Sequence, residues 1–138
     1  MANCETSFGY LLPTREVVMA SGDPDFASMI DLAERAEQLG FDSVWCGDSI
    51  LARPRLEALS TLAAIAGRTK QVKLGTAVFL PALRNPVVLA NEVANLDIVS
   101  QGRVIFGVGI ATKTQTVEKE FDACGVSFRY RVSIFEEC

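Results

Sequence analysis

Apolar and polar positions follow two periods along the chain. "FGYLL" (Phe8 to Leu12) predicts a first strand, and "SGDPDF" then predicts a helix start, with Asp23 as the cap and Pro24 as the first helical residue. That helix runs to Leu39. Its apolar residues Phe26, Met29, Ile30, Ala33, Ala36 and Leu39 keep helical spacing, and Gly40 is a left-handed stop. Asp42 to Cys46 predicts strand two. After Pro54, residues Leu56, Leu59, Leu62, Ala63 and Ala66 share one side of a second helix that ends near Gly67. Val72 to Phe79 predicts strand three. Asn85 then caps a third helix that opens at Pro86 and ends before Gly102. "RVIFGVG" (Arg103 to Gly109) predicts strand four, "TVEKEFDACG" a short helix closed by Gly125, and "RYRVSIFEEC" the start of another helix.

Strands that begin near residues 8, 42, 72 and 103 give a βα unit at roughly thirty-residue spacing, the rhythm of parallel α/β folds. A small doubly wound sheet and the first four units of a (β/α)8 TIM barrel both fit that rhythm. Turn chemistry separates them. A dinucleotide fold carries GxGxxG directly after strand one, where this chain has the turn "LLPTRE". The later "GVGIAT" is a partial match that places Thr112 at the sixth position. Within "VWCGDSILARPR" (Val44 to Arg55), an apolar strand runs straight into a polar turn. Such a turn lies at the carboxyl edge of a parallel sheet, where α/β proteins bind ligands.

The chain has 138 residues, 49% hydrophobic and 22% charged, which predicts one globular domain over residues 1–138. Net charge is −4 and the 13 Lys and Arg are scattered, so no nucleic-acid partner is expected. Arg84, Asn85 and Asp97 interrupt the longest apolar stretches, and "MANCETSF" lacks the features of a signal peptide. The expectation is a cytoplasmic protein without a membrane span. Cys4, Cys46, Cys124 and Cys138 show no CxxC spacing and histidine is absent, which disfavours a metal site and excludes imidazole-activated nucleophiles. Cys46, inside strand two, reads as a small buried hydrophobe.

"FGYLLPTRE", "AERAEQLGFDSVWCGDS", "VKLGTAVFLPALRNPVVLANEVANLDIVSQGRVIFGVGIA" and "EFDACGVSFRYR" together resemble the bacterial-luciferase-like flavin- and deazaflavin-dependent oxidoreductases. The most specific part is the ordered set "LGTAVFLPALRNPVVLA", "LDIVSQGR" and "FGVGIA". The resemblance implies an α/β chain of the (β/α)8 TIM-barrel type, with about the first four βα units present as a partial barrel. It implies a coenzyme, FMN or alternatively the deazaflavin coenzyme F420, held at the carboxyl ends of the strands. The phosphate-binding part then falls outside the chain, in the loops after strands seven and eight.

The coenzyme-binding residues implied by the resemblance are Asp48, Thr76, Ala77, Val78, Gly109, Ile110 and Ala111. Asp48 is placed to hydrogen-bond the polar edge of the ring or the substrate; on its own chemistry it caps the "DSILARP" turn. Thr76, Ala77 and Val78 match a strand-three bulge, with a cis peptide expected between Ala77 and Val78; periodicity alone gives an ordinary buried strand. Gly109, with Gly107, lets backbone approach a ring or a neighbouring strand. Ser49 stands where many relatives have a histidine, and Ile110-Ala111-Thr112 where deazaflavin relatives often carry Thr-Gly-Glu. No catalytic residue is therefore assigned. Arg53 and Arg55 are candidates for facing an anionic ligand, against the plainer reading of solvated arginines beside a helix start.

Three functions follow from the resemblance. The first is a monooxygenase that uses reduced FMN and dioxygen on a small organic substrate, with this chain a fragment of a longer enzyme. The second is hydride transfer between a substrate and the deazaflavin coenzyme F420. The third is a catalytically inactive half-barrel acting as an interaction module, because unpaired strand edges and an open apolar face favour self-association or aggregation. A complete form is expected to be a homodimer.

Overall fold

The computed structural model describes residues 6–138. Cys4 lies outside the described residues. Four short strands, β1 (Gly9–Leu11), β2 (Ser43–Cys46), β3 (Lys73–Thr76) and β4 (Val104–Ile105), form one parallel sheet in the order β1-β2-β3-β4. Helices α1 (Thr14–Met19), α2 (Phe26–Gln38), α3 (Ala58–Arg68), α4 (Pro86–Ser100), α5 (Gln115–Ala123) and α6 (Arg131–Glu137) follow in chain order. Register pairs Leu11 with Trp45, Trp45 with Gly75, and Gly75 with Ile105.

Alternation along the strands sends one set of side chains toward the helices. Val44, Cys46 and Leu74 are fully buried there, packed with Met29, Ala33, Leu62 and Ile65 of α2 and α3. The opposite face is open: Leu11, in register with Trp45, is more than half exposed. Trp45 lies flat across this open face. A Cβ added at Gly9 would overlap its Nε1, and one at Gly75 would overlap its six-membered ring, so the bare backbones of both neighbouring strands make room for the indole.

The sequence-based element order holds, with local corrections. "LLPTRE", expected as a turn, turns at Pro13 into α1, whose Thr14 is buried and whose Val17 packs on the core. Asp25, not Asp23, caps α2 by accepting from the Ser28 N–H at 3.0 Å, because the helix begins two residues later than expected. Glu57 caps α3 through the Leu59 and Ser60 N–H groups, which moves that start to Ala58. Leu39, expected on the apolar side of its helix, is exposed beyond the last turn.

The Val72 to Phe79 strand pairs continuously only to Thr76. The backbone then bulges at residues 77 and 78, and Phe79 rejoins the segment after β4: its N–H donates to the Gly107 carbonyl at 2.8 Å and its carbonyl accepts from Gly109 N–H at 2.9 Å. The amino edge of the sheet is tied by Arg103, whose guanidinium donates to carbonyls of Ala66, Thr69, Val72 and Ser100 and to the Thr69 hydroxyl. Glu37 accepts from the consecutive N–H groups of Lys70, Gln71 and Val72 beside it. No helix among the described residues is long and apolar enough to cross a membrane.

Candidate functional site

β2 ends in Cys46 and passes into Gly47 and Asp48 at the carboxyl edge. The Asp48 side chain is almost fully buried. Its two oxygens meet the Arg84 guanidinium as a fork, with Arg84 Nη2 donating to Oδ1 at 2.7 Å, and Oδ2 also accepts from the Leu80 N–H at 2.9 Å. Arg84 in turn lies over the Phe79 ring at 4.2 Å. A two-pronged charge-assisted contact of this kind fixes position as well as energy. The Asp48 carboxylate, which the resemblance implies faces a ring or substrate, accepts from Arg84 and from the Leu80 N–H, and it positions the β3–α4 loop against β2.

The turn after Asp48 is organised by a residue that its own sequence does not reveal. Glu120 of α5 is 1% exposed, and its Oε1 accepts from the Ser49 hydroxyl at 2.9 Å, from the N–H groups of Leu51 and Ala52 at 2.7 and 3.2 Å, and from Ile50 N–H. Burial pushes the Glu120 carboxyl up, but these donors outweigh it and hold it below the ordinary value. Ser49 accepts from the Arg53 N–H at 2.9 Å, the turn role expected of it. The "DSILARP" turn is therefore capped from α5 and not by Asp48.

Four of the residues named from sequence do lie together on an open ledge. Ala77 is exposed, Val78 is 47% exposed, and Ile110 is 41% exposed, with Gly109 between. The Ala77–Val78 peptide is cis, the geometry expected there. A Cβ on Gly109 would lie 2.6 Å from Val78 Cγ2, and one on Gly107 would overlap the Thr76 carbonyl, so both glycines let the bulge and the last strand lie side by side. Ala111 follows in a left-handed conformation, φ 63°, and packs on a second apolar cluster that includes Leu80, Leu83, Phe121 and Phe128.

Thr76 stands apart from these. It is 1% exposed and its hydroxyl donates to the Gly107 carbonyl at 2.8 Å. Like Asp48 it holds the edge together and does not present a polar group on the ledge. Periodicity shows which way it points: Leu74 and Thr76 share the helix side of β3.

The chemistry available at this edge is narrow. Burial and the Glu57 carboxylate push the Cys46 thiol up to about 12, against the opposing charge of Arg55, so it is protonated at neutral pH and no nucleophile. No group of three or more potential metal ligands occurs among the described residues. The ledge is a shelf and not a pocket. Grooves of about 530 Å³ between α3 and α4, and about 620 Å³ between α4 and α6, are lined by other residues. The ledge is apolar and built largely of backbone. It offers no exposed acid or base of its own.

The chain is similar to known proteins over most of its length. The family model described as luciferase-like monooxygenase matches residues 6–138. An F420-dependent glucose-6-phosphate dehydrogenase of Amycolatopsis mediterranei is 44% identical over 88 residues, covering 59% of this chain and 26% of that protein. A 5,10-methylenetetrahydromethanopterin reductase of Methanolobus tindarius is 36% identical over 105 residues, covering 76% and 30%. Among solved structures, monooxygenase RslO1 from Streptomyces bottropensis superposes with a TM-score of 0.81 at 32% identity, covering 96% of this chain and 40% of that one. The chain thus spans between about a quarter and two-fifths of the length of these relatives. Its four-stranded parallel sheet is a partial barrel of the TIM type, and the chain belongs to the luciferase-like monooxygenase family.

Proposed function

We propose that this chain supplies the ring-binding wall of a redox enzyme, in which Ala77, Val78, Gly109 and Ile110 support an isoalloxazine-type ring and a small organic substrate lies beside it. The observation that carries this reading is the ledge itself: exposed, apolar and built largely of backbone, at the carboxyl edge where barrel enzymes work. Bound there, reduced FMN would supply two electrons for dioxygen activation, and F420 would exchange two electrons with an organic substrate. The chain's own part is to support the ring, to keep it dry on one face, and to hold the surrounding turns. Asp48 and Arg84 hold the loop that follows Val78 in the chain, and Glu120 holds the turn after Asp48.

The monooxygenase reading is supported by what the ledge lacks among the described residues. Ser49 is tied to Glu120, and both Asp48 and Glu120 are buried, so none of these three stands free beside the ledge to move the proton that oxidation of an alcohol requires. The F420 reading is supported by the Amycolatopsis relative's identity of 44%.

The test is a pair of titrations of the chain, with FMN and with F420, following ring fluorescence together with that of Trp45, the only tryptophan. Saturable binding of FMN supports the first reading and of F420 the second. Binding of neither overturns both and leaves the half-barrel interaction module.

A further inference from the structure

The turn that follows β2 carries two arginines, Arg53 and Arg55, and the structure separates them. Arg53 is exposed. Arg55 is half-buried and folds back over Gly47, with its Nη1 occupying the space a Cβ at that position would need. Gly47 is buried as a result. Alternation along β2 puts Ser43, Trp45 and Gly47 on one side, so the guanidinium sits on the open, inward face of the sheet at its carboxyl edge. The same absent Cβ would lie 3.6 Å from the Ala77 carbonyl, which places Arg55 beside the ledge.

Arg55 also forms no ion pair among the described residues. Arg84, by contrast, is neutralised by Asp48. Its one hydrogen bond is a long one, from Nε to the Arg53 carbonyl at 3.4 Å. Glu57, two residues on, spends its oxygens on the Leu59 and Ser60 N–H groups and the Ser60 hydroxyl at the start of α3. A guanidinium is planar, permanently charged and presents donors that match an oxoanion two at a time. Holding one half-desolvated with no carboxylate on its donors, on a glycine that makes room for it, is a device for an incoming anion.

We propose that Arg55 is an oxoanion-recognition residue, so that the substrate at this edge carries a carboxylate or phosphate group. The word substrate rests on the ring-binding reading; the anion site does not.

The test follows the backbone amides of Gly47 and Ala77 in the isotope-labelled chain by NMR while sodium phosphate, or sodium acetate, replaces sodium chloride at constant ionic strength. Saturable shifts are expected with one or both oxoanions, weakened roughly tenfold or more in Arg55→Gln, partly kept in Arg55→Lys and unchanged in Arg53→Gln. Shifts that do not saturate, or that survive in Arg55→Gln, overturn the proposal. Titration with FMN and with riboflavin identifies the source of the anion. If Arg55→Gln weakens FMN but not riboflavin, the anion is the coenzyme's own phosphate and the substrate assignment falls. Oxoanion binding at Arg55 in a chain that binds neither FMN nor F420 removes the ring reading and keeps the site. Ring binding without an oxoanion response removes only this inference.

Discussion

Asp48 and Arg84, thirty-six positions apart, meet as a two-pronged ion pair whose carboxylate side is 2% exposed. The pair fastens the end of β2 to the loop that leads into α4, and that loop follows Ala77 and Val78 of the ledge in the chain. Removing one partner leaves the other charge buried and unpaired. Asp48→Asn and Arg84→Met are each expected to cost about 3 kcal/mol in urea unfolding, and the double variant less than their sum. Additive costs would show that the two side chains act separately.

Glu120 is expected to contribute to the acid limb of stability. Its folded carboxyl titrates below the ordinary 4.5, so its stabilisation is complete above that value and is lost as pH falls through the lower folded value. Glu120→Gln should lose about 1–3 kcal/mol near neutral pH and less as the pH drops, narrowing the gap to the parent chain. A gap that widens on acidification contradicts this.

Gly107 and Gly67 are expected to respond in opposite directions to alanine. A Cβ at Gly107 would overlap the Thr76 carbonyl, a backbone atom that cannot move aside, whereas nothing lies within 4 Å of one at Gly67 in α3. Thermal unfolding should show Gly107→Ala destabilised by about 1–3 kcal/mol and Gly67→Ala stabilised by about 0.5–1 kcal/mol.

The thiols provide a probe of local opening. In a Cys4→Ser background, exposed Cys138 should react with a thiol reagent at once. Cys46, fully buried and with its thiol pushed up to about 12, should react only as fast as the sheet opens. Rapid labelling of Cys46 would mean that β2 is not packed as described.

Much of the fold was legible because its signals are local. Asn85 followed by Pro86 marks the start of α4, Gly40 with φ 82° closes α2, and apolar spacing finds the buried side of α2 and α3. The ledge residues Ala77, Val78, Gly109 and Ile110 were named from the family pattern and do come together. What escaped depends on contacts across the chain. Glu120 reaches a turn about seventy residues away, and nothing in "EKEFDACG" shows which N–H groups it meets. Asp48 follows an apolar strand and so sits at the carboxyl edge, but its contact with Arg84, thirty-six positions on, leaves no local signal in the sequence. Arg53 and Arg55 looked alike until Gly47 showed which of them the fold takes in.

The central claim is that the ledge binds a flavin-type ring, and backbone amide shifts test it most directly. On addition of FMN or F420 to the labelled chain, the largest saturable changes should fall on Ala77, Val78, residues 107–111 and the Trp45 indole. Changes that map instead to the groove between α4 and α6, or that never saturate, would contradict the account.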